Sequence, residues 1–366
     1  REWEEPVKPG PATIKMVVYT LVGSLLMLAG AIATGVIAGE GGTPVFSMAE
    51  LSADPIGEDS QRWIFCFFAL AFLVKMPAFL VHGWMADAYR VAPLPALALF
   101  SAVLSKVGAY GFLKVVLPIF PAASVQFQEV LLLVAVASIL YGSIMAFTQT
   151  SARLVAGYSS VAQLGFITLG VFALRPDGAD GAILQMVNHG LVTVPLMLLF
   201  VVLVERTGSD DIRRMGGMAL RAPVMAALFL IVTMALLAIP GSANFVGEFF
   251  ILNGVFQAKA AFAIVASLGV AMAAYYALRL YQHAMHNRGR QGLESREIEW
   301  REGAIVGALV ACIVALAFYP QLVLKRTDTT VEQQLSSFEQ QDGASASLPP
   351  ASQPHTPAGE AEEVGD

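Results

Sequence analysis

The chain is a series of long apolar runs separated by short polar segments. The runs cover 16–38, 63–81, 95–117, 130–148, 154–174, 181–204, 223–257, 261–282 and 303–319. A helix needs about 17 to 25 mostly apolar residues to cross a bilayer, and most of the runs have a length of this order. None of them shows the strict alternation of a membrane-barrel strand. The pattern predicts an all-α, polytopic transmembrane helical bundle with about nine helices.

The run 223–257 is too long for one ordinary crossing and contains the helix-breaking sequence PGSAN at 240–244. It is therefore either two crossings or one discontinuous helix. Cytoplasmic loops collect Lys and Arg, and a single broken crossing gathers more of these residues on one side than two crossings do. We therefore expect one discontinuous helix, which places 205–221 and 283–301 in the cytoplasm and the C-terminal tail outside.

Composition supports a membrane protein. Apolar residues make up 56% of the chain and charged residues 14%, with a mean hydropathy of +0.65, whereas soluble domains carry about a quarter charged residues. The 22 Lys and Arg do not exceed the 28 Asp and Glu, which argues against nucleic-acid binding. The two cysteines, Cys66 and Cys312, lie in apolar runs, so we expect neither a disulfide framework nor a metal site.

Four titratable residues lie inside predicted membrane segments: Lys75, Lys106, His189 and Glu248. Charged groups at this depth are costly and usually face a protein interior or a water path. The alternatives are that the lysines extend to the surface, that His189 is a structural hydrogen-bonding residue, and that Glu248 only caps a helix. Phosphate-binding, haem and dinucleotide motifs are absent from the sequence. A row of titratable groups at membrane depth predicts proton or cation translocation.

The ends of the chain differ from its middle. It begins at Arg1 without an initiator Met, which we interpret as the start of a C-terminal part of a longer protein. From about residue 331 the sequence is rich in Ser, Pro, Gln and Glu and lacks the apolar residues needed for a core. We expect a solvated, disordered extension there.

Five motifs occur in one order: FLVKMPAFLVHGWMADAYRVAP, LSKVGAYGFLKVVLPIFP, AGYSSVAQLGFITLGVFAL, QMVNHGL and IPGSANFVGEFFIL. Over residues 12–283 they resemble the antiporter-like membrane subunits of NADH:quinone oxidoreductase, respiratory complex I. The resemblance implies an antiporter-like fold of fourteen helices, with two inverted five-helix repeats that each contain one discontinuous helix. This chain would hold about nine of the fourteen.

The implied segments follow from that pattern. They are a cytoplasmic lead-in (1–15), the last three helices of the first repeat (16–117), the second repeat (118–283), an amphipathic loop with the final transmembrane helix (284–319) and a disordered tail (320–366).

The resemblance also implies a function, which is proton translocation in the membrane arm. Lys75 matches the lysine of the first discontinuous helix, Lys106 that of the next helix, His189 the family histidine and Glu248 the acidic residue of the second discontinuous helix. The resemblance implies no cofactor on this chain; NADH, FMN, iron–sulfur clusters and quinone would belong to partner subunits. We expect three further residues to support the proton path: His82, Asp87 and Asn244.

The sequence departs from the family pattern in three places. The carboxylate that pairs with the first lysine would lie upstream of Arg1. In MADAY, Ala86 and Tyr89 stand where the family has Pro and His, and the usual APTAGS reads APLPAL at 92–97.

The alternatives have related folds or different roles. They are a Na⁺/H⁺ antiporter subunit of the Mrp type, a membrane subunit of a related hydrogenase, and a scaffold without transport activity. For the leading interpretation we expect the bacterial plasma membrane as location, a periplasmic C-terminal tail, and as partners the bilayer and other membrane-arm subunits, but no nucleic acid.

Overall fold

The computed structural model describes residues 8–287, 296–335 and 338, and the helices in these ranges form a membrane-type bundle. The helices are α1 (Pro9–Ala38), α2 (Met48–Ala53), α3 (Glu58–Lys75), α4 (Met85–Val91), α5 (Leu94–Ile119), α6 (Pro121–Gln126), α7 (Gln128–Thr148), α8 (Ala152–Val171), α9 (Pro176–Thr207), α10 (Pro223–Leu236), α11 (Ala243–Met285), α12 (Trp300–Phe318) and α13 (Gln321–Leu324). Seven of them are long and apolar enough to cross a membrane. The predicted all-α class is confirmed.

The first break in the bundle separates α3 from α4. The apolar run 63–81 continues past Lys75, but α3 stops there, at the lysine where the resemblance implies the first discontinuous helix. Pro77 has no backbone N–H and cannot continue the helix unaided. The indole of Trp84 donates to the carbonyl oxygen of Val74 at 3.1 Å, so one carbonyl freed by the break regains a partner.

The second break lies between α10 and α11, at residues 237–242. Ser242 caps the new helix because its side chain accepts a hydrogen bond from the backbone N–H of Phe245. Further along α11, Lys259 leaves the helical conformation, with φ −147° and ψ 77°. The apolar stretch after residue 222 is thus two half-length helices around one break, followed by a bend and another helix.

Contacts at the ends of this stretch show that 223–259 crosses the bundle once. Near the first residue of α9, Asp177 accepts hydrogen bonds from Asn253 at 2.7 Å and Gln257 at 2.9 Å. Near the last residue of α9, Glu297 accepts from the backbone N–H of Val224 at 3.0 Å. Because the two ends of the stretch lie at opposite ends of α9, it forms the expected single discontinuous helix.

The helix α8 is the centre of the bundle. All of its residues except Arg153 are buried, and α7, α9 and α11 pack against it. A glycine of the neighbouring helix permits close approach to α8: a Cβ on Gly142 of α7 would lie 2.7 Å from the backbone nitrogen of Ala162. This packing brings polar residues of α8, α9 and α11 together in the interior.

The end of the described chain differs from the expected disordered tail 320–366. α13 covers Gln321–Leu324, and residues 328–335 are helical and pack against the bundle through buried Val331 and Leu335. The apolar side chains at these two positions form a buried face, although the composition of the tail as a whole is polar. The rest of the tail, from 339, lies outside the described residues, as does the segment 288–295 of the expected amphipathic loop.

Candidate functional site

Lys106 lies in the middle of α5 on a short 3-10 turn, Leu104–Lys106. The residue is 7% exposed, and its ammonium donates to the carbonyl oxygen of Ser101 on its own helix. Its Nζ lies 2.7 Å from His189 Nδ1 of α9. Among the described residues, no carboxylate lies within ion-pair distance of Lys106. The positive charge is therefore held by neutral acceptors alone.

His189 is fully buried, and Thr193 determines which of its ring nitrogens carries the proton. The Thr193 hydroxyl donates its only proton to the His189 carbonyl oxygen at 2.7 Å, so its oxygen accepts from Nε2 at 3.3 Å. Nδ1 then carries the lone pair that faces the Lys106 ammonium. Lys106, Ser101, His189 and Thr193 are called the central cluster below.

Close approach of α5 and α9 makes this contact possible. A Cβ on Gly190 would lie 3.1 Å from the carbonyl oxygen of Ala102, so the residue after His189 must be small. On the other side of Ser101, its hydroxyl lies 2.9 Å from the hydroxyl of Ser160 on α8. The central cluster therefore joins three helices.

Glu248 lies one turn after the second break, is 3% exposed and is held by an amide chain. Gln163 of α8 donates to Glu248 Oε1 at 2.8 Å, and Gln185 of α9 donates to Gln163 Oε1 at 2.6 Å. Gln163 and Gln185 are called the amide chain below. A Cβ on Gly247 would lie 2.4 Å from Gln185 Oε1, so glycine at 247 is required for the close contact.

The amide chain ends beside the central cluster, because Gln185 and His189 are one turn apart on the same face of α9. Several buried amide atoms in this region have no hydrogen-bond partner, including Gln185 Oε1, Asn188 Oδ1 and both side-chain atoms of Asn244. Buried amides in native proteins usually have a hydrogen-bond partner, so these atoms set the region apart from the apolar remainder of the bundle.

The predicted residues divide into two groups. Lys106 meets His189, Glu248 is bonded to Gln163 in the buried interior of the same bundle, and Asn244 lies one turn from Glu248. Lys75 does not join them: it is half-buried at the last residue of α3 and, in the ranges that the structure describes, its ammonium has no hydrogen-bond or ion-pair partner.

The other two supporting residues have local contacts. His82 follows the first break and packs against Tyr141 with ring centroids 4.7 Å apart, while its buried Nδ1 has no partner. Asp87 forms an ion pair with Lys15 at 2.8 Å, which ties α4 to α1. In the described ranges, no three His, Cys, Asp or Glu side chains group as metal ligands.

Sequence reasoning missed the amide chain. Gln163 and Gln185 are uncharged, so they did not stand out as Lys106 and Glu248 did. The available signal was a pair of glutamines inside otherwise apolar runs, since polar side chains at membrane depth usually have a partner. Tyr276, which is fully buried and also uncharged, was missed for the same reason.

Comparison with known proteins identifies relatives over most of the chain. The profile of the family described as "NADH:quinone oxidoreductase/Mrp antiporter, TM" matches residues 1–273. NADH-quinone oxidoreductase subunit M of Rhodobacter capsulatus is 36% identical over 324 residues, covering 85% of this chain and 63% of the relative. The protein of the same name from Mycobacterium tuberculosis is 34% identical over 344 residues, covering 91% of this chain and 62% of the relative. The chain thus spans less than two thirds of the length of these relatives.

Solved structures show the same fold. A chain of respiratory complex I from Thermus thermophilus with bound NADH superposes with a TM-score of 0.83 at 32% identity, over 89% of this chain and 69% of that one. A chain of the Mrp complex from Dietzia sp. DQ12-45-1b superposes with a TM-score of 0.78 at 21% identity, over 89% and 68%. The second likeness concerns the fold alone.

Proposed function

Since the chain belongs to the family of NADH:quinone oxidoreductase and Mrp antiporter transmembrane subunits, we propose that it acts as a proton-translocating membrane-arm subunit of NADH:quinone oxidoreductase. The observation that carries the proposal is the buried contact of Lys106 with His189, 2.7 Å apart in the middle of the bundle. Two groups that both bind protons, without a carboxylate between them, are suited to passing a proton rather than to holding the fold together.

The elementary step in this proposal is a transfer within the central cluster. The Lys106 ammonium gives a proton to the Nδ1 lone pair of His189, which leaves a neutral amine and a doubly protonated ring. The ring then releases the proton on Nε2, on the side of Thr193. The Ser101 carbonyl oxygen keeps the Lys106 amine in place during the exchange. Reprotonation of Lys106 restores the starting charge, and the cycle closes once the ring has returned to the tautomer that carries its proton on Nε2.

Glu248 is proposed as the terminal group of the route. The amide chain orients its carboxylate, and amides do not exchange protons readily, so protons reach Glu248 with water rather than through Gln163 and Gln185. Its place one turn after the second break supports the role, because broken membrane helices line ion paths. Lys75 is proposed as the group on the other side of Lys106, in keeping with its place at the first break.

The wider assembly is part of the proposal. Electron transfer would take place on partner subunits that carry NADH, FMN, iron–sulfur clusters and quinone, and this chain would respond to it through charge or shape. We place it in the bacterial plasma membrane beside other antiporter-like subunits, with the Arg-rich loop 208–222 in the cytoplasm and 320–335 on the periplasmic side.

The test is Lys106→Ala in the full-length protein in its native membranes. We expect proton pumping per NADH oxidised to fall at least about tenfold, because the transfer needs a group that binds a proton at this position. Pumping is measured with a pH-sensitive dye in inverted vesicles, and assembly on a native gel stained for NADH oxidation.

Lys259→Ala is the matched control, since Lys259 pairs with Glu129 at 2.8 Å at the edge of the bundle. Undiminished pumping by an assembled Lys106→Ala variant would rule out Lys106 as a relay. Migration away from the NADH-oxidising band, together with sodium-dependent proton flux, would instead indicate the antiporter of the Mrp type, which the same family includes.

A further inference from the structure

A cavity of about 230 Å³ lies between α5, α9 and the helical segment 328–335, away from the central cluster. Its walls include apolar side chains from all three elements: Leu113, Ile183, Met186 and Val331. The cavity lies toward the end of the bundle where α5 finishes and α9 begins. This is the face opposite the Arg-rich loop 208–222.

Two cations line the same cavity, Lys114 on α5 and Arg326 after α13. Both are exposed, and neither has a hydrogen-bond or ion-pair partner for its side chain among the described residues. The acidic residues of the neighbouring segment, Asp328 and Glu332, do not line the cavity. Neither cation at the cavity is therefore held in an ion pair within the described chain.

The depth of these groups follows from helix geometry. Lys114 is five residues before the last residue of α5, or about 7.5 Å from the end of that helix. Met186 is ten residues into α9, or about 15 Å from its start. The cations thus lie near the membrane surface and the apolar wall extends toward the hydrocarbon, an arrangement with the polarity of a phospholipid.

We propose that this cavity binds an anionic phospholipid of the outer leaflet. The phosphate lies between Lys114 and Arg326, and the first part of an acyl chain runs along Ile183 and Met186. A volume of roughly eight water molecules accommodates a headgroup and its first carbons, so the rest of the chains lie on the outer surface of the bundle. A free phosphate ion would use the two cations but gain nothing from the apolar wall.

The lipid would also hold the segment 328–335 against the bundle. Arg326 belongs to the turn that precedes this segment, whereas Lys114 belongs to α5. A phosphate bound by both connects the two elements through charge-assisted hydrogen bonds. The proposal is independent of proton translocation, because no residue of the central cluster or the amide chain contributes to the cavity.

The experiment is native mass spectrometry of the full-length protein in its purified membrane assembly, titrated with dioleoylphosphatidylglycerol and, in parallel, with dioleoylphosphatidylcholine. The variants are Lys114→Gln, Arg326→Gln and the pair. We expect phosphatidylglycerol affinity to fall about fivefold for each cation and about thirtyfold for both. Arg62→Gln is the control, since Arg62 lies at the same end of the bundle and pairs with Asp59 at 3.1 Å.

Two further measurements separate the lipid from other ligands. Met186→Trp fills the apolar part of the cavity without changing its charge, and we expect it to weaken lipid binding as well. The proposal is overturned if the double variant and Arg62→Gln retain phosphatidylglycerol equally, or if both lipids bind the unaltered protein equally. It is also overturned if glycerophosphoglycerol, which has no acyl chains, binds as tightly as the lipid, because the site would then be one for soluble phosphate esters.

Discussion

At the scale of single residues, the interior of this bundle combines titratable groups with uncharged amides. Lys106 and His189 face each other without a carboxylate between them, and Glu248 is oriented by Gln163. An ammonium and a carboxylate that are buried separately cost more than a buried pair, since neither neutralises the other. Such an arrangement is poor at stabilising a fold and agrees with the proposed proton transfer.

Gln163→Leu tests the amide chain. The change removes the donor to Glu248 and the acceptor of Gln185, which are both buried, so we expect the free energy of unfolding to fall by about 1 to 3 kcal/mol and proton pumping to decrease. Thr168→Val on the same helix is the matched control, because its hydroxyl only donates to the Leu164 carbonyl oxygen within α8. Equal pumping by Gln163→Leu and Thr168→Val would show that the orientation of Glu248 has no part in transport.

His189→Gln tests the central cluster from the side of α9. Glutamine preserves hydrogen bonding to Lys106 but does not take up a proton near neutral pH, so we expect an assembled variant with strongly reduced pumping. Thr193→Val, which removes the hydroxyl that orients the ring, is expected to give a smaller reduction. Proton uptake by vesicles at matched NADH oxidation rates measures both, and normal pumping by His189→Gln would make His189 a structural residue.

At the scale of elements, two interrupted helices determine where these residues lie. The second break places Glu248 one turn after a capped helix start, and a glycine next to it lets α11 approach α9. The start of α10 is held from outside the bundle by Glu297, whose carboxylate accepts from the backbone N–H groups of Val224 and Met225, both at 3.0 Å. Both halves of the broken helix are thus anchored at their N-terminal ends.

Gly247→Ala tests the close approach of α9 and α11. A Cβ at this position meets Gln185 Oε1 at 2.4 Å and the Gln185 backbone nitrogen at 3.1 Å, so we expect a loss of about 1 to 3 kcal/mol in unfolding free energy and weaker pumping. Gly307→Ala on α12 is the control, since nothing lies within 4 Å of its Cβ position. Thermal unfolding in detergent compares the two, and equal melting temperatures would contradict the predicted clash.

Glu297→Gln tests the anchoring of α10. Partial burial raises the pKa of Glu297, but the N–H groups of Ile298, Val224 and Met225 outweigh this effect and hold the pKa below its ordinary value of 4.5. A lowered folded-state pKa stabilises the protein above the unfolded-state pKa, and this contribution is lost as the pH falls through the folded-state value. We expect Glu297→Gln to cost about 1 kcal/mol at pH 7 and progressively less below pH 4.5. Exposed Glu205→Gln is the control, and a cost independent of pH would contradict the assignment.

At the scale of the whole molecule, the bundle has one face with most of its cations and one with few. Lys15 pairs with Asp87, Arg153 with Asp210 and Arg206 with Glu302, all at the face of the loop 208–222. The opposite face holds the pairs of Lys259 with Glu129 and Arg62 with Asp59. This asymmetry agrees with the orientation that the Lys and Arg count predicts.

Cysteine labelling tests the orientation. In a background with Cys66 and Cys312 replaced by Ala, we expect Arg214→Cys to react with a membrane-impermeant maleimide only in inverted vesicles, and Lys325→Cys only in intact cells. The reason is that three crossings separate residues 214 and 325, one each in 223–259, 261–282 and 303–319. An odd number of crossings places the two residues on opposite sides. Labelling of both positions from the same side would mean that this stretch crosses twice.

The sequence by itself determined the all-α membrane class, the approximate position of the crossings, the second break and the four charged or titratable residues at membrane depth, whereas the first break was implied only by the family resemblance. Apolar runs, prolines and charges at membrane depth are local signals, and misplacing any of them in a bilayer has a large free-energy cost. They can therefore be recognised along the chain. Only the tertiary structure decided that Lys106 meets His189, that Glu248 is held by Gln163 and Gln185, that Lys75 lies apart from them, and that 320–335 folds back onto the bundle. These features depend on which helix faces pack together, and the partners lie up to 85 residues apart in the chain, so no local pattern encodes them.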